Sequence, residues 1–261
     1  MRKNKQIYTM VVTALFSALS FVGTMIHIPL PSGGIVHLGN FVMILAGLLC
    51  GGLVGGFSGS IGMGLYDIFG GYPPSTYIRT FLLKFLVGFL VGFLFKLCIQ
   101  KKFKITVIQY IFCGIFLSLA ILGSIMLAYV EEGSFIVKAF GVTKLIHQAD
   151  LIMAVVFAYL FFIGLLVTIV LSSKLKYALK CVISITTFVM LINMILELVL
   201  RIFFTHVLDG VTLATAYTTA IAKIPASILT AFITMIFIIF LFKPIYMATR
   251  NLNRLSDDLD I

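Results

Sequence analysis

A group of polar side chains interrupts the long apolar runs of this 261-residue chain, at positions where a buried charge is costly. An ionisable group inside a membrane costs about 2.5–3.5 kcal/mol on insertion scales, so each such group is a candidate functional residue. Groups of this kind bind a polar or charged ligand, relay a proton or hold a neighbouring helix. The group comprises Asp67, Arg79, Lys84, Asn193, Glu197, Arg201 and Lys223.

All of these residues lie in the outer half of the span predicted to carry them. The inner half holds only Lys96 and Lys180, which are placed to reach the cytoplasmic interface. A channel or proton relay distributes polar groups along the whole depth of the membrane. The asymmetry therefore predicts a pocket that opens outward and is closed inward, with His37 and Asn40 at its rim.

The same residues also have purely structural interpretations. Glu197 and Arg201, four residues apart, could form a surface ion pair of one helix. Arg79 could anchor its helix at the interface, and Asp67 could hold the turn that follows it. Lys84 lies roughly two helical turns from the outer water. Because an unpaired ammonium tends to lose its proton at that depth, we expect Lys84 to pair with Asp67 or Glu197.

The composition identifies the setting as a membrane. Hydrophobic residues make up 61% and charged residues 11% of the chain, and the mean hydropathy is +1.18. Soluble domains are about half apolar and about a quarter charged. These values exclude a soluble enzyme, a disordered protein and a nucleic-acid partner. The net charge of +10 reflects an excess of basic residues, which we expect in the cytoplasmic loops.

The apolar runs predict an all-α fold, a polytopic transmembrane helical bundle of about eight spans. The run 38–72 is too long for one span and suits two short helices that turn near Gly51-Gly52. With eight spans the basic clusters at 2–5, 101–104, 174–180 and 243–254 all face the cytoplasm, as do both termini. The outer loops are then 29–37, 73–76, 131–149 and 206–218. The runs are 7–28, 38–72, 77–99, 104–130, 150–172, 180–205 and 219–242.

No motif for catalysis, metal binding or nucleotide binding is present. The sequence lacks His-Glu-x-x-His, Cys-x-x-Cys, Gly-x-Ser-x-Gly and a phosphate loop. We therefore predict no catalytic residue, no cofactor and no metal. If the protein transports actively, the energy must come from a partner or from an ion gradient.

Small residues at four-residue spacing predict close helix contacts. The densest stripes are Gly51/Gly55/Gly59 and Gly52/Gly56/Ser60/Gly64, followed by Gly88/Gly92. The first span carries Ala14-x-x-x-Ala18, which fits either an internal contact or a docking face for another subunit.

Several features together resemble a known family. After the basic N-terminus and Ala14-x-x-x-Ala18, the first outer loop reads Pro29-Leu-Pro-Ser-Gly-Gly-Ile-Val-His37-Leu-Gly-Asn40. A glycine-rich double span ends in Leu65-Tyr66-Asp67, and Thr80-Phe-Leu-Leu-Lys84 follows. Over residues 7–95, with a weaker echo at 222–227, the chain is similar to the S component of energy-coupling factor (ECF) vitamin transporters. The similarity is to the branch with riboflavin- and hydroxymethylpyrimidine-type members.

The resemblance implies a substrate-binding membrane subunit of an ATP-driven importer in the bacterial plasma membrane. Its ligand is a B vitamin or vitamin precursor, a small and mostly neutral heteroaromatic compound bound on the extracellular side. The partners are a shared transmembrane coupling protein, on which Ala14 and Ala18 dock, and two ATPase subunits. The expected substrate-binding residues are His37, Asn40, Tyr66, Asp67, Tyr72, Tyr77, Arg79, Lys84, Asn193, Glu197 and Lys223.

The resemblance also predicts the domain organisation. One transmembrane domain would consist of S-component-like spans in 1–99 and 177–244, an inserted helical hairpin in 100–176 and a cytoplasmic tail in 245–261. Asn40 stands where the family carries Asp, which argues against a strongly cationic ligand. Lys84, Arg79 and Lys223 leave room for a carboxylate or a phosphate.

Two other classes of protein stay open. A self-sufficient secondary transporter of a small organic solute would need a coupling-ion site and usually internal repeats. A membrane enzyme or assembly factor is the third class.

Overall fold

The computed structural model describes residues 2–30, 34–100, 105–128, 134–139, 142–173 and 175–249. The basic clusters at 101–104 and 250–254, and part of the loop 131–149, lie outside the described residues. The helices are α1 (Arg2–Met25), α2 (Gly39–Cys50), α3 (Gly52–Phe69), α4 (Pro74–Ile99), α5 (Ile105–Ala128), α6 (Gln148–Ser173), α7 (Tyr177–Leu208), α8 (Leu213–Ala222) and α9 (Ile224–Thr249). The strands are β1 (His27–Pro29), β2 (Ile35–His37), β3 (Ser134–Ala139) and β4 (Val142–His147).

The chain is a mostly helical, multi-pass membrane protein. Among the described residues, four stretches are long and apolar enough to cross a membrane: Gln6–Met25, Pro74–Ile99, Tyr177–Leu208 and Leu213–Thr249. Shorter apolar helices occupy Gly39–Cys50, Gln109–Ile125 and Ala158–Val167. The predicted total of eight spans is not confirmed by these lengths.

The long apolar run 38–72 divides where the sequence predicts. Helix α2 ends at Cys50 and α3 begins at Gly52, with Gly51 between them at φ 96° and ψ 168°. This backbone conformation is open to glycine at no steric cost. The N–H of Gly51 donates to the carbonyl of Gly47, which closes the last turn of α2. The glycine therefore makes a sharp reversal between two short helices.

Several predicted loops contain regular structure. Strands β1 and β2 pair antiparallel with His27 opposite His37, and β3 pairs with β4. The prediction of an all-α fold missed these strands. Strands β1 and β2 have only three residues each, and β3 and β4, with six residues each, lie between two predicted spans and were assigned to a loop. The predicted outer loop 206–218 is also wrong: α7 continues to Leu208 and α8 starts at Leu213. Thr212 caps α8 by accepting a hydrogen bond from the N–H of Thr215.

The helices form two compact units. Residues 1–103 and 176–261 form the first unit, and residues 104–175 form the second. In the first unit α3 packs against α1, α2 and α4, while α4 and α9 pack against α7. In the second unit α5 packs against α6, and strands β3 and β4 join the two helices.

Glycines bring α2, α3 and α4 into backbone contact. A Cβ added at Gly55 of α3 would lie 2.6 Å from the Cα of Gly47 on α2 and 2.7 Å from the carbonyl oxygen of Gly88 on α4. These distances are shorter than van der Waals contact, so a side chain cannot fit at this crossing. Helices in lipid gain stability mainly from such close packing, as the glycine stripes predict.

Substituting Gly55→Ala should destabilise the protein by about 1–3 kcal/mol, because the added methyl group overpacks the crossing. The matched control is Gly114→Ala on α5, where an added Cβ meets nothing within 4 Å. The control should be neutral or slightly stabilising, since alanine favours a helix over glycine. Thermal unfolding followed by a thiol-reactive dye measures both variants, because Cys98 and Cys181 are buried in the fold. Equal melting temperatures for the two variants would contradict the crossing.

Candidate functional site

A cavity of about 210 Å³ lies at one end of the first unit. Its wall combines the end of α1, strand β2, the start of α2, the end of α3, the start of α4, the second half of α7 and the start of α9. Segments far apart in the sequence thus contribute to one site. The lining residues are Thr24, Gly34, Ile35, His37, Asn40, Met63, Asp67, Tyr72, Thr76, Arg79, Thr80, Lys84, Asn193, Glu197, Arg201, Lys223, Ala226, Ser227 and Thr230.

Most of the residues predicted from the sequence to bind substrate converge on this cavity. Those on its wall are His37, Asn40, Asp67, Tyr72, Arg79, Lys84, Asn193, Glu197 and Lys223. Their role as substrate ligands stays a prediction. The two other predicted residues, Tyr66 and Tyr77, are not on its wall. The hydroxyl of Tyr66 lies 3.3 Å from Nδ1 of His27, and its ring makes an edge contact with Phe21.

Glu197 and Arg201 form an ion pair and also line the cavity. Arg201 Nη2 lies 2.8 Å from Glu197 Oε1, at the four-residue spacing of one helical turn. The hydroxyl of Ser227 on α9 donates to Glu197 Oε2 over 3.3 Å. The local pairing expected from the sequence is therefore present, and it links α7 to α9 within the site.

Asp67 joins α3 to α4. Its carboxylate accepts a hydrogen bond from the hydroxyl of Thr80. The turn after α3 is instead closed by main-chain groups, since the N–H of Tyr72 donates to the carbonyl of Asp67 over 3.0 Å. The side chain of Asp67 therefore connects two helices at the cavity and does not hold the turn. The turn uses only the backbone of this residue.

The predicted pairing of Lys84 with a carboxylate is wrong. Lys84 Nζ donates to Asn193 Oδ1 over 2.9 Å, and no carboxylate in the described residues lies within ion-pair distance of it. Asn193, Glu197 and Arg201 recur every four residues along α7, so one face of the helix carries all three. On that face the amide of Asn193 lies opposite the ammonium, while Glu197 pairs with Arg201 of its own helix. The polar contact between α4 and α7 is therefore charged on one side only.

Arg79 is not an interfacial anchor. Only 5% of its surface is exposed, and it lines the cavity with no hydrogen bond or ion pair to any other described residue. The neighbouring Ser75 does have a partner, donating to Asp209 Oδ2 over 2.8 Å. This bond holds the start of α4 to the end of α7. Arg79 lies one helical turn further along α4, so its position at the cavity is fixed by the same contact.

His37 is held as a neutral ring at the cavity wall. Its Nδ1 accepts a hydrogen bond from the N–H of Gly39 over 3.2 Å, which leaves the ring proton on Nε2. Burial and the positive charge of Lys84 lower the pKa of His37 to about 3. The ring therefore supplies one hydrogen-bond donor and no charge to the site at neutral pH.

Sequence reasoning missed the hydroxyl groups of the site. Thr24, Thr80, Ser227 and Thr230 all line the cavity, and no spacing rule singles out a threonine in an apolar helix. Arg201 was among the polar residues predicted to share one pocket, but it was not among the expected substrate-binding residues. Its position one helical turn from Glu197 was the available signal. In the part of the chain that is described, no group of three His, Cys, Asp or Glu residues is placed to hold a metal ion.

An apolar groove on the surface between α1 and α3 forms a second feature. Ala14 and Ala18 are exposed on its α1 side. The side chains of Phe57, Ile61 and Leu65 form its α3 side. Because alanine side chains are short, a partner helix can approach the backbone of α1 closely on this face.

Comparison with known protein families finds a match over most of the first two thirds of the chain. The sequence model of the family described as "ECF-type riboflavin transporter, S component" matches residues 4–165. The match runs from α1 into α6 and does not reach α7, α8 or α9. No curated protein and no solved structure matches the chain.

The neutral His37 makes stability depend on pH. In the unfolded chain its pKa is about 6.5, so the unfolded state binds the proton first and stability falls as the pH drops from 6.5 toward 3. The slope contributed by this group is at most about 1.4 kcal/mol per pH unit. Melting temperatures at pH 7.5 and 4.5 should show a smaller acid loss for His37→Gln than for the wild type. The control His27→Gln changes the exposed partner on the paired strand and should lose as much as the wild type. An unchanged acid loss in His37→Gln would show that the ring is protonated in the fold.

Proposed function

Because the chain belongs to the family of ECF-type riboflavin transporter S components over more than half of its 261 residues, we propose that its cavity binds a B vitamin or vitamin precursor on the extracellular side. Members of this family are the substrate-binding subunits of ECF-type vitamin transporters. The observation that carries the proposal is the convergence of polar groups from six helices and one strand on one cavity. Such a cavity orients a ligand through a few placed polar groups. Tyr72 on its wall offers a face for a heteroaromatic ring.

The proposed topology has eight spans in the bacterial plasma membrane, with both termini in the cytoplasm. It is supported by the basic clusters, which all fall on one side when the run 38–72 counts as two spans. The break at Gly51 agrees with that count. The cavity then opens on the opposite, extracellular side.

The proposed partners are the transmembrane coupling protein of an ECF transporter and its two ATPase subunits. The chain has no phosphate-binding loop, so hydrolysis of ATP must be supplied by other chains. The groove beside Ala14 and Ala18 offers a surface for the coupling protein, because it is apolar and the short side chains on its α1 side permit close approach. Transport would then proceed by binding in the cavity and docking through the groove.

Residues 104–175 are proposed to be an insertion into the S-component core. The chain leaves the first unit after α4 and returns at α7, and these two points touch: the hydroxyl of Tyr177 donates to the carbonyl of Cys98 over 2.8 Å. An insertion leaves its host in this way, with adjacent ends. The family match, however, continues to residue 165. The competing interpretation is that α5 and α6 are family spans and that α7 to α9 are additional.

The docking role is tested by Ala14→Leu with Ala18→Leu. The added bulk should reduce uptake in cells that contain the ECF module by at least about tenfold, because it prevents close helix approach, while ligand binding by the isolated protein stays unchanged.

The matched control adds bulk to α1 outside the groove, as Leu15→Phe with Leu19→Phe; both leucines are exposed and neither lines the groove. The control should retain uptake. Equal loss of binding in the alanine variant would show that the motif packs internally. Uptake by the chain alone under an ion gradient would favour a secondary transporter instead.

The insertion is tested by replacing residues 104–175 with a short flexible linker. The adjacent ends should allow the first unit to fold, and the shortened protein should keep ligand affinity within about threefold and retain a cooperative melt. A folded protein without binding would support the competing interpretation, in which α5 and α6 belong to the binding core. Tyr177→Phe in the full-length chain controls for the loss of the bond at the junction.

A further inference from the structure

Two buried cations in the cavity wall have no anionic partner within the described part of the chain. Arg79 is 5% exposed and Lys84 is 6% exposed. Arg79 makes no hydrogen bond or ion pair with any described residue, and Lys84 reaches only the amide oxygen of Asn193. Both residues line the same cavity. Buried charges in proteins are normally paired with an opposite charge, so the two residues are an exception that needs an explanation.

The carboxylates of the site are already engaged elsewhere. Asp67 accepts the hydroxyl of Thr80, and Glu197 is held by Arg201 and Ser227. Counting formal charges, the wall contributes four cations (Arg79, Lys84, Arg201 and Lys223) against these two carboxylates. The cavity therefore carries an excess of positive charge, and two of its cations, Arg79 and Lys84, are buried, where an ionic interaction is stronger than in bulk water.

A buried acceptor in the same wall is also unsatisfied. The side-chain oxygen of Asn40 has no hydrogen-bond partner among the residues that the structure describes, and the residue is only 3% exposed. It lines the cavity together with the cations. An unpaired buried acceptor is costly, so a ligand with an N–H or O–H group would gain by pairing with it.

We infer that the ligand is an anion: a small acid whose carboxylate or phosphate group accepts hydrogen bonds from Arg79 and Lys84, and whose N–H or O–H group donates to Asn40. This inference rests on the proposed function and narrows its substrate class. A guanidinium presents a planar pair of donors that matches a carboxylate or phosphate, and an ammonium adds a point charge. A cavity of about 210 Å³ has the volume that about seven water molecules occupy in the liquid. This size favours a compact acid.

The first experiment identifies what the protein carries. The full-length protein is purified in mild detergent, and its bound small molecules are released by denaturation and identified by mass spectrometry. The expected result is a compound with a carboxylate or phosphate group. Release of a neutral compound as the main ligand would overturn the inference while supporting the proposed function. Release of no compound, together with no stabilisation by any probe below, would overturn both.

The second experiment compares matched acids and neutral compounds. Nicotinate against nicotinamide tests a carboxylate, and pyridoxine 5′-phosphate against pyridoxine tests a phosphate; inorganic phosphate is the minimal probe. The acidic member of at least one pair should raise the melting temperature more than its neutral counterpart at constant ionic strength. Equal shifts within both pairs, with none from inorganic phosphate, would overturn the inference.

Variants assign the effect to the two cations. Arg79→Gln and Lys84→Met should each weaken the apparent affinity for the stabilising acid at least tenfold. Asn40→Leu has a similar size and should also weaken it, because the N–H or O–H group of the ligand then loses its acceptor. The control Lys96→Met removes an exposed cation of the same helix and should stay within twofold of the wild type.

Folding defects are separated from binding defects by the ligand-free melting temperature. A variant that keeps a cooperative melt reports on binding alone. If Asn40→Leu folds and binds the acid as well as the wild type, Asn40 does not accept a hydrogen bond from the ligand and that part of the inference is wrong. If Arg79→Gln and Lys84→Met both fold and keep full affinity, the cations do not hold the ligand and the inference is wrong.

Discussion

The crossing of α2, α3 and α4 at glycines is the contact on which the candidate site depends. Because the backbones touch at Gly47, Gly55 and Gly88, the helix ends above that crossing are brought together at fixed angles. Asp67 at the end of α3 thereby meets Thr80 at the start of α4. A bundle held by large interdigitating side chains would separate the helices and leave these groups beyond hydrogen-bond reach. Small residues in the middle of the helices thus determine where polar residues near their ends can act.

The rest of the wall depends on polar contacts between helices that are distant in the sequence. Lys84 reaches Asn193 on α7, and Ser227 on α9 reaches Glu197 on α7. In a membrane these bonds satisfy polar groups that would otherwise need hydrogen bonds from water. They also orient α7, so that one face carries both the amide and the ion pair. The charged cavity is therefore supported on one side by backbone packing and on the other by hydrogen bonds.

The sequence was sufficient for the features that depend on local pattern. Apolar runs and glycine spacing predicted the helices, the break at Gly51 and the close crossing, because each follows from neighbouring residues. The cost of burying charge was enough to predict which polar residues would share a cavity. The partner of Lys84 was not predictable, since it depends on how α7 is rotated about its axis. Strands β1 and β2 were missed because three residues leave almost no periodic signal, and β3 and β4 because they lie between two predicted spans, in a segment assigned to a loop.

The contact between Lys84 and Asn193 has a consequence for biosynthesis. The two residues are 109 positions apart, so the helix that carries the lysine is made well before the helix that carries its partner. At about 5–20 residues per second, the ribosome needs roughly 5–20 s to reach Asn193. During that interval the ammonium must be accommodated near the translocation machinery or at the lipid headgroups. The binding site is therefore completed late in synthesis, after most of the chain has been made. Its timing depends on the speed of translation as well as on the stability of the fold.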